Sequence, residues 1–440
     1  IFLPYISLRN IENNMTESAN HLEKIKKSLS RRNRAEKRFR WYGRTAILIG
    51  LAAVLILFTD IVSKGHGAFR IAYIELEVTY DQDRIGVDNL TDPEELTRGN
   101  WEALSKTAMR TEFPEVSGRS DKRRLYGLIS SGAGFDLKDR LLENPLLLGE
   151  TERVWILADD DIDTYYKSWL DGEPYAARMS AKQLEWIDEL HQQGKIRLQF
   201  NSNLFTRGDS REPEQAGIRG AVMGSLFTLI LTLVLSFPIG VSAAIYLEEF
   251  APRNRWTDFI EVNINNLAAV PSIIFGLLGL AIFINFFHVP RSVPIVGGLV
   301  LTLMTLPTII ITSRAAIKSV PPSIREAALG MGASKYQTVL HHVLPLSLPG
   351  MLTGAIIGMA QALGESAPLL MIGMVAFIVD IPGGFSDPAT VLPVQIFLWA
   401  DSPERAFIEK TSAAIMILLS FLIVMNTVAV WLRKRLERRW

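Results

Sequence analysis

The 440-residue sequence has no cysteine, and its 46 basic and 46 acidic residues cancel to a formal net charge of zero. Without cysteine there are no thiolate metal sites, thiol nucleophiles or disulfides, which fits a chain exposed to an oxidising compartment. Six histidines are present, but none falls in an H-E-x-x-H pair, and neither a G-x-S-x-G elbow nor a G-x-x-x-x-G-K-[ST] phosphate cradle occurs. No catalytic residue and no metal ligand are therefore assigned, and no cofactor is expected in the chain itself. The charges are partitioned along the chain, not mixed: densely charged stretches alternate with long apolar runs, and the mean hydropathy is +0.19.

A transmembrane helix needs about 20 mostly apolar residues to cross ~30 Å of hydrocarbon. Six runs meet this: 45–62, 221–246, 260–287, 296–317, 348–377 and 411–432. Glycine and proline interrupt the later ones, as spans tolerate when neighbouring helices satisfy the freed backbone groups. The tail 1–44 ends in a basic run from Lys24 to Arg44, which predicts a cytoplasmic N-terminus and an uncleaved signal anchor at 45–62. Residues 1–14, ahead of the first methionine at Met15, carry no functional weight. Six spans return the C-terminus to the cytoplasm, and the basic tail 433–440 agrees.

This orientation puts the polar stretch 64–216 outside the cytoplasm, where it is long enough to be a domain. Alternating β-branched and aromatic residues over 69–80 predict a strand, and Leu184, Ile187 and Leu190 have helical spacing within 180–193. The acidic run Asp159, Asp160, Asp161 and Asp163 lacks the glycine turn and distal glutamate of a calcium loop, so it reads as a solvated turn or helix start. The expected fold class is an all-α polytopic membrane protein of about six transmembrane helices with an inserted α+β extracytoplasmic domain.

The segment 318–345, between the fourth and fifth runs, predicts helix, turn, helix beneath the membrane. Ser323 and Glu326 after Pro321-Pro322 have the spacing of a capping box, and so have Ser334 and Gln337; Gly330 and Gly332 lie between. Within it, Glu326-Ala327-Ala328, Gly332 and Leu344-Pro345 resemble the EAA loop of binding-protein-dependent ABC importer permeases, with His342 standing where that pattern has an aliphatic residue. The resemblance continues from Ala221 to the C-terminus through Ala269-Val270-Pro271-Ser272, Leu306-Pro307-Thr308 and Gly364-Glu365-Ser366-Ala367-Pro368, and is strongest to phosphate permeases of the PstA type, some of which carry an extracytoplasmic insertion after the first span.

The resemblance implies a coupling loop (Ser323, Glu326, Ala327, Ala328, Gly332, Leu344, Pro345) that docks on a separate ATPase subunit, where ATP and Mg bind. It also implies a second permease subunit of the PstC type, an extracytoplasmic phosphate-binding protein and a multi-pass place in a bacterial inner membrane. Helix spacing does not select phosphate over sulfate or molybdate. Gly350, Gly354 and Gly358 share one helix face, for contact either with the second permease or within this chain. Glu365 is the carboxylate deepest in a predicted run, with Gln361 one turn earlier where some relatives carry a basic residue. An ionised Glu365 repels an anion, so gating, pairing with a partner's cation, or fastening local backbone are its readings. Ser366, Thr302, Thr305 and Asn266 are the remaining candidates along a translocation pathway, with helix packing as the plain alternative. A membrane sensor would need a cytoplasmic output domain after the last run, and an ion-coupled transporter would show repeats and intramembrane charge clusters.

Overall fold

The alternation of β-branched residues in 70–79 is realised as a central strand in the computed structural model, which describes residues 5–87, 92–172, 179–375 and 377–436. The chain divides into two units, residues 1–61 and 62–440. In its described residues the first is helical, part of the helix Tyr5–Gly65 that carries the basic run and the first apolar run.

In the second unit, β1 (Arg70–Thr79) lies between β2 (Thr151–Leu157) and β3 (Ile196–Phe200), antiparallel to both, with Ile74 opposite Ile156 on one side and Ile196 on the other. Period-2 alternation sends Ala72, Ile74, Leu76 and Val78 into one core. Helices Glu102–Glu112, Ala133–Glu143, Asp160–Leu170 and Ala181–Gln192 supply Leu104, Leu137, Ile162 and Ile187 to it. The inserted domain is thus α+β. Ser180 and Gln183 cap the last of these helices, the Ser180 amide donating to Gln183 Oε1 at 3.1 Å. The acidic run is a helix start: Asp159 Oδ1 accepts from the Asp161 amide at 3.2 Å, while Asp163 accepts from the Ala72 amide at 2.7 Å and from Lys167 Nζ at 2.6 Å.

Five helices in the described residues are long and apolar enough to cross a membrane, and one bent pair meets the same measure when its two helices are taken together. The second span is Arg219–Ile245, closed by a wide π turn at Tyr246–Phe250. The third is broken: Arg255–Ala268 and Ser272–Phe286 meet at 102°. Pro271 lies in the break, with no amide to offer Leu267 and a preference for an extended residue before it. The fourth, Pro294–Lys318, is the most enclosed and packs between the second and the fifth.

The fifth run departs from expectation. The helix Leu344–Gly364 stops well short of residue 377, because Pro368 has no amide for the Gly364 carbonyl; the short helix Ala367–Met371 follows and then loop. At its other end the passage starts early, at Lys335. The sixth span is Ala406–Leu436.

Candidate coupling loop and membrane passage

The fourth span ends at Lys318, and Pro321, extended at φ −57° and ψ 139°, launches the helix Pro322–Gly330. This corrects the first expected capping box. With Pro321 at the cap position, Ser323 is already the second helical residue and Glu326 the fifth, so neither caps; both side chains are exposed. The second box is present: the Ser334 amide donates to Gln337 Oε1 at 2.9 Å and the Gln337 amide to Ser334 Oγ at 3.2 Å. Between them Gly332 takes φ +89°, a conformation glycine adopts without strain.

The second loop helix is not a separate piece. Lys335–Thr338 continues through a π turn, Val339–Val343, into Leu344–Gly364, so it is the beginning of the fifth span. Pro345 explains the wide turn, since its ring disturbs the His341 carbonyl one turn earlier. His342 is exposed there, so a polar side chain costs nothing in burial. Outward the loop shows Leu329, Met331 and Tyr336, which are 49%, 90% and 65% exposed. Inward it buries Ala328 and half-buries Ile324 and Arg325.

Charges that sequence reasoning passed over gather at this end. The guanidinium of Arg314, with a side chain only 12% exposed, reaches Glu248 at 3.1 Å and Glu261 at 2.7 Å; Lys318 adds a contact to Glu248 at 3.4 Å. Arg325 donates to Glu249 through Nε at 3.0 Å and Nη2 at 2.8 Å. The signal was available, because Arg314 falls inside a predicted run, where an ionisable residue requires a partner.

The expected pathway residues part into two groups. Thr302 and Thr305 are buried, and each hydroxyl is committed to its own helix, donating to the Gly298 carbonyl at 2.6 Å and the Leu301 carbonyl at 2.9 Å. Gln361 and Asn266 are exposed, and Glu365 and Ser366 are half-buried. Glu365 is not in the middle of a helix but at the break after Gly364, extended at φ −85° and ψ 118°, with no ion-pair partner among the described residues. The glycine face turns inward: a β-carbon on Gly350 would lie 2.6 Å from the Ala316 β-carbon, and one on Gly354 would collide with the Thr312 side chain. That stripe packs on the fourth span of the same chain.

The sequence family described as binding-protein-dependent transport system inner membrane component matches residues 217–440. The chain belongs to that family. A domain of unknown function, DUF3333, matches residues 26–174. Among individual relatives, the "Probable ABC transporter permease protein YqgI" of Bacillus subtilis is 35% identical over 172 residues, which are 39% of this chain and 58% of that one. The "Phosphate transport system permease protein PstA 1" of Mycobacterium tuberculosis is 28% identical over 229 residues, covering 52% of this chain and 74% of its own. A solved structure entitled "Inward facing conformations of the MetNI methionine ABC transporter" covers 50% of this chain and 96% of its own at 18% identity, with a TM-score of 0.42. The chain spans 58% of the length of each of the two Bacillus subtilis relatives it matches. Family and helices together make this a multi-pass inner-membrane component of a transport system.

Proposed function

We propose that this chain is the PstA-type permease subunit of an ATP-driven phosphate importer, forming half of the translocation pathway and receiving the stroke of a separate ATPase. The observation that carries the reading is the loop of Pro322–Gly330 and Lys335–Thr338, which presents Glu326, Leu329, Met331 and Tyr336 outward at the charged end of the bundle. Ser323, Ala327, Ala328, Gly332, Leu344 and Pro345 shape that loop and its join to the fifth span. Phosphate is supported by the transport system named for the PstA relatives. Gln361, Glu365, Ser366 and Asn266 line the passage in this reading, with Glu365 pairing with a cation of the second, PstC-type permease. A phosphate-binding protein delivers the anion from outside, and both termini are cytoplasmic.

The test is reconstitution. The chain, a P-loop ATPase, a second permease and a binding protein in liposomes should take up phosphate and hydrolyse ATP faster when phosphate is added. Stimulation by sulfate or molybdate but not phosphate would replace the substrate, and an ATPase that never co-purifies would overturn the class. A reporter active only outside the cytoplasm should work when fused within 64–216; activity when fused after Trp440 would reverse the orientation.

A further inference from the structure

The guanidinium of Arg325 ties its own helix to two other elements. Nε and Nη2 hold Glu249, in the π turn that closes the second span. Nη2 also donates to the Ile317 carbonyl at 2.9 Å, and Nη1 to the Val320 carbonyl at 2.7 Å, both at the end of the fourth span. All three nitrogens of the fork are thereby engaged, and a cation sits against carbonyls at the negative end of a helix dipole. The Arg325 and Glu249 side chains are 23% and 10% exposed, so the pair is screened less than one in open solvent. Beside it, Ile324 packs with Ala244, Leu247, Ile317, Val320 and Val343. A neighbouring set of ion pairs, centred on Arg314, joins the same ends of the second, third and fourth spans.

We propose that Arg325 is the joint that makes the helix Pro322–Gly330 one rigid body with the second and fourth spans, so that force on the loop's outer surface moves those spans instead of bending the loop. The proposal rests on the coupling role given above to the loop. The flexible point is then the turn at 331–333, where Gly332 has a positive φ and open space around it. Arg325 is a positioning residue: it faces the membrane bundle, while Glu326, the next residue, faces outward. Lysine cannot replace it, because a point charge on a flexible stem reaches Glu249 or the carbonyls but not both.

The experiment uses the full complex in liposomes, with ATPase co-purification, ATP hydrolysis and phosphate uptake measured at equal membrane abundance. Glu249→Gln removes the partner charge without altering the loop, and Arg325→Lys removes the fork. Both variants should keep the ATPase bound and hydrolysing while phosphate moved per ATP falls about fivefold or more. Wild-type transport per ATP in both single variants would overturn the proposal. So would loss of ATPase binding in step with uptake, which would make the pair a shaper of the docking surface only. Failure of the wild-type complex to couple hydrolysis to phosphate is a different result, and it counts against the importer reading itself.

Discussion

At the scale of single residues, consequences follow from how little room or solvent each side chain has. Gly354 lies against Thr312 closely enough that any side chain collides, whereas a β-carbon on Gly358 would find its nearest neighbours at 3.7 Å, an ordinary contact. Gly354→Leu should cost ~1–3 kcal/mol as overpacking between the fourth and fifth spans, and Gly358→Ala close to nothing. Thermal unfolding of the detergent-purified chain separates them; equal midpoints would show that the helices part without penalty. Glu214 is 2% exposed, and burial pushes its carboxyl up to about 7, with Asp160 and Glu212 adding to the rise and the Ser130 hydroxyl opposing it. The fold therefore favours the protonated form. Stability from this group is complete below the unfolded value of 4.5 and is lost as pH rises through about 7. The midpoint of the extracytoplasmic domain should fall between about pH 5 and pH 8, by at most ~3 kcal/mol from this residue. Glu214→Gln should flatten part of that slope, with Asp159, Asp160 and Asp209, whose carboxyls burial also raises, contributing to what remains. An unchanged slope would place the titration elsewhere.

At the scale of elements, Gly332 and Glu326 test the loop as a unit. Gly332→Leu forces a side chain into a left-handed conformation at ~1 kcal/mol, with no steric clash to add to it. Glu326→Ala removes an exposed carboxylate that caps nothing. Both variants should insert at normal abundance and lower phosphate uptake several-fold; normal uptake and ATPase co-purification in both would remove the loop from the coupling role. What was legible here was local. Ser334 and Gln337 are three residues apart, and their mutual bonds depend on nothing else. The Ser323 box was misread because the preceding proline pair starts the helix a residue or two early. The end of the fifth helix was misread because hydropathy continues through Pro368 although backbone bonding does not. The pairs of Arg325 with Glu249 and of Arg314 with Glu261 are separated by more than fifty residues, and only the folded bundle brings them together.

At the scale of the whole molecule, the strand and helix of the inserted domain were legible from periodicity, whereas its attachment was not. Both of its seams are bonded to one end of the membrane bundle. On the entry side, Ala68 packs with Phe407, Ala413 and Ala414 of the sixth span, and Lys167 Nζ reaches Glu409 at 3.0 Å. On the exit side, Trp399 Nε1 donates to Asp209 at 2.9 Å and Lys410 Nζ to the Ala216 carbonyl at 2.6 Å. A deletion meant to spare the permease must therefore begin before Arg70, since one starting at Asp81 would strand Ile74, Leu76 and Val78 of β1 without a core.

Those bonded seams also fix how the domain rotates. A module on a loose linker tumbles on its own nanosecond clock, but one bonded at both ends turns only as fast as the particle that carries it. A spin label at exposed Leu146 should report the slow rotation of the entire detergent micelle. Lys167→Ala with Lys410→Ala, cutting one bond at each seam, should quicken it. Fast, independent tumbling in the unmodified chain would mean that the seams give way in solution. In the importer proposed above, a binding protein docking on a domain so held would meet a surface whose orientation to the membrane helices stays constant.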